Sequence, residues 1–342
     1  MFLPFCGLVV DSAAADCVVQ RTGSDIQGPF KAHVPADCTE AEREVHAIDA
    51  DTIMSAMKQG RAIDLSGVVI QGDLSLDSLP VGDSPPPVES IPSQPSGEIR
   101  VVAGGLSIVK SVMRGAMTHR SGQGTLYFVG PVTFAGTTFE QSVDLSRSIF
   151  MQDLTLSGAV FLRESYFVQG HFLKTVVGEK TAFGPHTRFH RSRFHEPVTF
   201  QQSGFSGLSE FLEVQFDRDA NFSRTYFKSG TGFSGSQFTG LADFSEALFD
   251  GDAFFTFTRF DGDTYFRRAT FRATADFDDA QFNAREDFSK TFFEKGPQFA
   301  RAKRSAQGPE ALGIENSQVQ YGITLSLLIF SAVLIAYLVR SK

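Results

Sequence analysis

FTGLADFSEALFDGDAFFTFTRF, residues 238–260, places Phe238, Phe244, Phe249, Phe255 and Phe260 six, five, six and five residues apart. The alternation runs without a miss over residues 183–299, filling twenty-two slots with Phe alone. Backwards it continues through Phe172, Phe167, Phe161, Leu156, Phe150, Leu145, Phe139, Phe134 and Phe128, with one blurred slot near Val177. Twenty-nine of the 36 Phe lie on this single lattice, so the lattice decides the fold. An α-helix needs apolar residues every three or four positions and an amphipathic strand every second one. A five/six spacing serves neither. It suits a short strand and a tight turn, repeated, each unit sending one large side chain inwards. One such unit cannot bury its own apolar face, so units must stack as a solenoid.

Two residues before each Phe the side chain is small, as at Ala220, Thr225, Ser236, Ala242, Ala247, Ala253, Thr258 and Ala269. With one large and one small inward residue per unit, a stretch such as ADFSEALF (242–249) resembles the pentapeptide-repeat family. The resemblance covers residues 128–299 and implies a non-enzymatic, all-β protein: a right-handed quadrilateral parallel β-helix. This chain adds one residue to every second unit, so a four-sided coil takes twenty-two residues instead of twenty. Outward columns taken at that period support four sides. One reads Val160, Ala182, Gly204, Tyr226, Leu248, Thr270, Phe292, while the column half a coil away reads His171, Arg193, Gln215, Gln237, Arg259, Gln281. The Phe lattice alone predicts seven or eight coils, a rod of roughly 36 Å at about 4.8 Å per coil.

The 342 residues carry a net charge of −8, which argues against a nucleic-acid binder with its basic stripe. The 3 Cys are all early, at Cys6, Cys17 and Cys38. Residues 1–15 read as the end of a secretory signal, with an apolar run and Ala13, Ala14 and Ala15 before Asp16. Its basic start is missing. Cleavage there leaves Cys17 and Cys38 as a candidate disulfide in an oxidising compartment; two unpaired buried thiols are the other reading. Residues 16–62 form an N-terminal region, irregular to 47, then a short capping helix over about 49–59. In that helix Asp51 is placed to cap, Ile53, Met54 and Met57 make an apolar stripe, and Gly60 ends it. The coil then starts near Leu65 and occupies 63–300, interrupted at 79–98 by a loop with Pro80, Pro85, Pro86, Pro87, Pro92 and Pro95. A linker over 301–320 leads to nineteen uncharged residues, 321–339, flanked by Tyr321 and Tyr337 within and Arg340 and Lys342 beyond. That length spans a bilayer, and the basic end places the C-terminus in the cytoplasm and the rod outside it.

Candidate chemistry is sparse. His186, His190 and His195 are close in sequence, but the coil register sends His190 and His195 to adjacent faces with no thiol or carboxylate completing a metal set. Asp250-Gly251-Asp252 and Asp261-Gly262-Asp263 fall on opposite sides of a coil and read as solvated turn carboxylates. No catalytic, cofactor-binding or metal motif is present in the sequence. The most pointed feature is the column Tyr226, Leu248, Phe292, with Phe254 and Tyr265 on other faces. It reads equally as half-exposed strand packing and as a contact surface for a protein partner or a second rod. The expected function is a membrane-anchored scaffold or interaction module outside the cytoplasm. Two alternatives stay open. One is a component of a channel-like membrane protein, although only one apolar helix and no selectivity filter appear. The other is a DNA-mimicking topoisomerase inhibitor, which the signal-like start and the apolar tail oppose.

Overall fold

The computed structural model describes residues 17, 19–21, 28–82, 97–119 and 124–304. Strands of two to four residues stack into four sheets of 12, 11, 9 and 10 strands, met in turn as the chain goes round. We name these faces one to four in that order. All described pairings are parallel except two at the start of the rod, Gln20–Arg21 with Phe30–His33 and Val81–Gly82 with Ile99–Val102. From residue 126 onward register partners lie twenty-two residues apart: Val198, Ala220, Ala242 and Thr264 align on face one, and Gly204, Tyr226, Leu248, Thr270 and Phe292 on face two. The chain is therefore an all-β parallel solenoid. About ten coils at the 4.8 Å strand spacing make a rod of about 50 Å, longer than the Phe lattice alone indicates because the coil begins before it.

The corners explain why five alternates with six. All fourteen non-glycine residues with positive φ sit in the five-residue corners, two positions after an inward slot. There the third residue on donates back to the slot's carbonyl, as Ser203 N does to Phe200 O (3.1 Å) and Ala247 N to Phe244 O (3.1 Å). This is a tight turn with a left-handed residue at its third position. Six-residue corners, such as 206–210, contain no such residue. Buried hydroxyls finish the five-residue corners: Thr225 Oγ1 donates to Phe200 O (2.9 Å) and Thr258 Oγ1 to Phe233 O (2.9 Å), one coil below.

Inside, rings of one face stack face to face up the rod, as in Phe222–Phe244 (5.1 Å, 5°) and Phe244–Phe266 (4.9 Å, 5°). Rings of faces one and three meet edge to face, as in Phe233–Phe244 (5.3 Å, 83°). Both are favoured arrangements of aromatic quadrupoles. The blurred slot is Gly178 and not Val177. A Cβ there would lie 2.7 Å from Phe200 Cδ1, so the ring above has moved into the vacancy. Phe200 accordingly stands 29° from Phe222, whereas neighbouring same-face pairs such as Phe205–Phe227 stay within 9°.

The N-terminal region departs from the expected reading. Phe30–His33 already belongs to face one, paired with Ile63–Ser66, so the coil starts well before Leu65. A helix α1, Glu40–Val45, occupies part of the stretch read as irregular, opened by a reciprocal capping box between Thr39 and Glu42. Helix α2, Ala50–Lys58, is capped by Asp49 rather than Asp51: the Asp49 carboxylate accepts from Asp51 N (2.8 Å). It buries Ile53, Met54, Ala56 and Met57 and touches Leu74–Ser75, the first strand of face three. Faces one and two have strands one coil earlier, at Phe30–His33 and Ile48–Asp49, and α2 stands in the place of the missing third side. Cys17 and Cys38 are joined in a disulfide, with Cα atoms 5.4 Å apart. Arg43 then ties this region to the rod by donating to Cys38 O (3.1 Å) and Gly67 O (2.9 Å). Gly67 has φ +68, and a Cβ on it would meet Val34 O at 2.5 Å, so the close approach requires glycine.

The signal-like residues 1–15, most of the proline-rich loop (83–96) and residues 305–342, with the apolar stretch 321–339, lie outside the described residues. Among the described residues no helix is long and apolar enough to cross a membrane.

Candidate functional site: an aromatic surface on face three

Three Phe within the repeats lie off the inward lattice, Phe254, Phe257 and Phe292, and all three are exposed. Phe254 follows the inward Ala253 and so points out of face three. Phe257 occupies the left-handed corner position between faces three and four, at φ 57, and is 67% exposed. At the same corner of other coils this position holds paired charges, Arg191 with Glu213 (2.9 Å) and Asp279 with Arg301 (2.5 Å), and in the coil before Phe257 it holds Gly235. Gly235 and Phe257 together separate the two charge pairs, and Phe257 is the one apolar side chain in this column. Holding a non-glycine residue in the left-handed region costs roughly 1–2 kcal/mol, and the exposed ring returns none of it to the core. Neither the ring stack nor the turn accounts for this residue.

The surroundings of the two rings are apolar and flat. In the coil before them Gly230, Gly232 and Gly235 carry no side chain, and Gly232 is the register partner of Phe254. From the coil before that, Leu208 Cδ1 and Leu212 Cδ2 lean over the bare strand, 3.4 and 2.8 Å from where Cβ atoms of Gly230 and Gly232 would be. Leucines, glycines and the two Phe thus form one strip across three coils. The next coil makes an acidic rim, with Asp276 (the register partner of Phe254), Asp278 and Asp279, the last paired with Arg301, while Asp252 precedes Phe254 in its own coil. The Asp252 carboxyl is held below its ordinary range by the backbone N–H of Thr274, and Asp279 by its hydrogen bond with Arg301. An aromatic strip with a carboxylate rim can take apolar side chains accompanied by positive charge.

The column singled out from the sequence has a different character. Tyr226, Leu248 and Phe292 do share face two, but Tyr226 and Leu248 are half-buried and Thr270 separates them from Phe292. Tyr226 donates its hydroxyl to Asp250 (3.0 Å), and burial, with that carboxylate, pushes the phenol up to about 12. The histidines do not converge. His186 lies 3.0 Å from Glu210, His190 is 3.7 Å from Glu213, and His195 Nε2 meets His171 Nδ1 at 3.2 Å. Burial drives His171 down to about 4, with His195 and Arg193 acting in the same direction. Among the described residues only Cys17, Cys38 and Glu42 bring three ligating groups together, and those two sulfurs are bonded to each other. The paired aspartates are engaged in the scaffold: Asp252 accepts from Thr274 N (2.9 Å), Asp263 from Arg285 N (3.3 Å), Asp250 from Arg272 (2.9 Å) and Asp261 from Arg259 (2.7 Å). One buried polar pair escaped the sequence reading. His119 fills an inward slot of face three, 2% exposed, with Nδ1 2.8 Å from Asp77 Oδ1. Its only signal is a His where the lattice, broken nearby by inserted residues, calls for an apolar side chain.

A family model described as Pentapeptide repeats (9 copies) matches residues 211–259 and 244–291. Over residues 211–291 the coils are therefore similar to pentapeptide repeats. The matched repeats contain Phe254, Phe257 and the glycine strand, so the aromatic strip is carried by the repeats themselves and not by an insertion. No curated protein matches the chain, and no solved structure does.

Proposed function

We propose that the protein is a non-enzymatic scaffold: a rigid pentapeptide-repeat rod, anchored to a membrane by residues 321–339 and lying outside the cytoplasm, that docks a protein partner on face three. The observation that carries the docking is Phe257, an exposed aromatic held on left-handed backbone beside the exposed Phe254. Strained, solvent-facing residues that serve no packing purpose concentrate where a protein meets its ligands. The placement outside the cytoplasm draws support from the Cys17–Cys38 disulfide, which persists in oxidising compartments, and from the basic residues after the apolar stretch. Helix α2, with its buried Ile53, Met54 and Met57, serves on this reading as the cap that shields the first strand edge of face three.

The test is crosslinking in native membranes with the full chain, comparing wild type with the Phe254→Ser/Phe257→Gly double variant. The expected result is a crosslinked adduct in the wild type that is lost in the double variant while the circular dichroism spectrum is kept. An unchanged adduct removes face three as the docking surface. Protease protection of sealed vesicles checks the placement separately: a rod digested only when the cytoplasmic side is opened overturns it.

A further inference from the structure

The two ends of the rod are built differently. At the beginning α2 lays five buried residues against the first coils. At the far end the last rings, Phe288, Phe293 and Phe299, are only partly buried, although Phe255, Phe260, Phe266, Phe271 and Phe277 just below are fully enclosed. The fourth inward slot of that last coil is Arg304, whose guanidinium lies 5.5 Å over the Phe299 ring. Arg304 also donates to Glu286 Oε1. Glu286 is itself anomalous. Its column on face one runs Leu154, Val176, Val198, Ala220, Ala242, Thr264 and then Glu286. The carboxylate is 2% exposed, and its second oxygen, Oε2, has no hydrogen-bond partner among the described residues. Buried acceptors in native proteins are almost always matched by donors. Burial raises the proton affinity of this carboxyl, the response of an acid short of partners. The end of the rod thus presents an apolar ring surface with one unmet acceptor beside it.

We propose that residues 305–320 of the same chain cover this end, laying apolar side chains on Phe288, Phe293 and Phe299 and bringing a hydrogen-bond donor to Glu286 Oε2. The segment begins at the site, since Arg304 is already part of the last coil. It is unfit to extend the coil: the next two slots in the five/six count fall on Glu310 and Glu315, and no Phe occurs in it. A further coil would therefore bury two carboxylates in an aromatic stack. What the segment does carry is Leu312 and Ile314, two residues apart and so on one side of an extended chain. Ser305, Gln307 and Asn316, with the backbone N–H groups, supply donors. Leu312 lies eight residue steps after Arg304, an extended reach of about 26 Å, enough to cross the end of a coil. A second copy meeting this one end to end is the competing occupant. Such a contact would have to be symmetric, because the opposite end of the rod has α2 on it.

The inference stands apart from the docking reading on face three and is tested without it. Hydrogen exchange of the full chain in detergent is followed for peptides spanning 286–299, relative to mid-rod peptides spanning 216–249. The expected result is that Leu312→Asp/Ile314→Asp speeds exchange at 286–299 at least tenfold relative to mid-rod, at every protein concentration. Equal ratios in variant and wild type overturn the proposal. So does protection that rises with protein concentration in the wild type, which assigns the surface to a second copy. A cysteine pair, Phe293→Cys with Leu312→Cys, gives an independent measurement: a crosslink within one chain is expected, and a crosslink found only between chains overturns the assignment.

Discussion

At position 257 the backbone is in the left-handed region and the sequence supplies phenylalanine. Phe257→Gly removes the Cβ clash, worth roughly 1–2 kcal/mol, and adds the unfolded-state freedom of glycine, worth roughly 0.5–1 kcal/mol. The expected outcome in a urea titration is unchanged or slightly higher stability, up to about 1 kcal/mol. A loss above 1 kcal/mol would show that the ring packs on the rod after all. His171 makes a second prediction at this scale. Its folded value near 4 lies below the ordinary 6.5, mainly through burial, with His195 and Arg193 lowering it and Asp217 opposing them. The unfolded chain therefore takes up the proton first as pH falls. Stability is constant above about 6.5 on this account and declines between 6.5 and 4. His171→Gln should flatten that decline, with His195, also lowered by burial, contributing what remains. Stability measured at pH 7 and pH 4.5 in both proteins decides it; an equal drop in both assigns the effect to other groups.

Each side of a coil is one strand, one inward ring and one corner, and its energetics follow from the ring. Phe238 is fully buried, with Phe216 and Phe260 stacked at 4.5 and 5.1 Å. Phe238→Ala should cost about 3–5 kcal/mol, since the rings above and below are held by their own strands and cannot close the void. Gly178 shows the opposite case, a slot left empty and filled by Phe200 from the next coil. Gly178→Ala pushes a Cβ against that ring and should cost about 1–3 kcal/mol, read from the midpoint shift in denaturant. The inward lattice was legible in the sequence because a ring at every slot writes the period directly. The corners were not, because Arg147, Gln202, Glu246 and Lys290 on left-handed backbone carry none of the Gly or Asn signature such turns ordinarily show. Helix α1 escaped for another reason: it buries no residue, so no apolar stripe marks it, and only the Thr39–Glu42 pair announces it. The aromatic strip was half legible. Phe254 stands out as an off-lattice ring, but the exposure of Phe257 and the bare glycine strand beside it depend on which residues share a face.

A rod in which each coil touches only its neighbours has a stability that is close to a sum of local terms. Damage at one end should therefore stay there. Cys17–Cys38 offers the cleanest test, because the bond closes the loop that contains the face-one strand Phe30–His33, far from the Phe lattice that begins at Phe128. In the chain-entropy account a loop of this size contributes roughly 3 kcal/mol. Reduction should raise hydrogen exchange in peptides covering 28–49, where Arg43 and the Phe30–His33 pairing still hold the region by hydrogen bonds. Peptides from 205–282 should be unaffected, because six strands of face one and five of face two lie between the regions and, among the described residues, no hydrogen bond links the two directly. A global loss of protection on reduction would mean that the rod unfolds as one cooperative unit despite its linear architecture. In that case the sealing of its first coil, and not the sum of its ring stacks, sets the stability of the whole molecule.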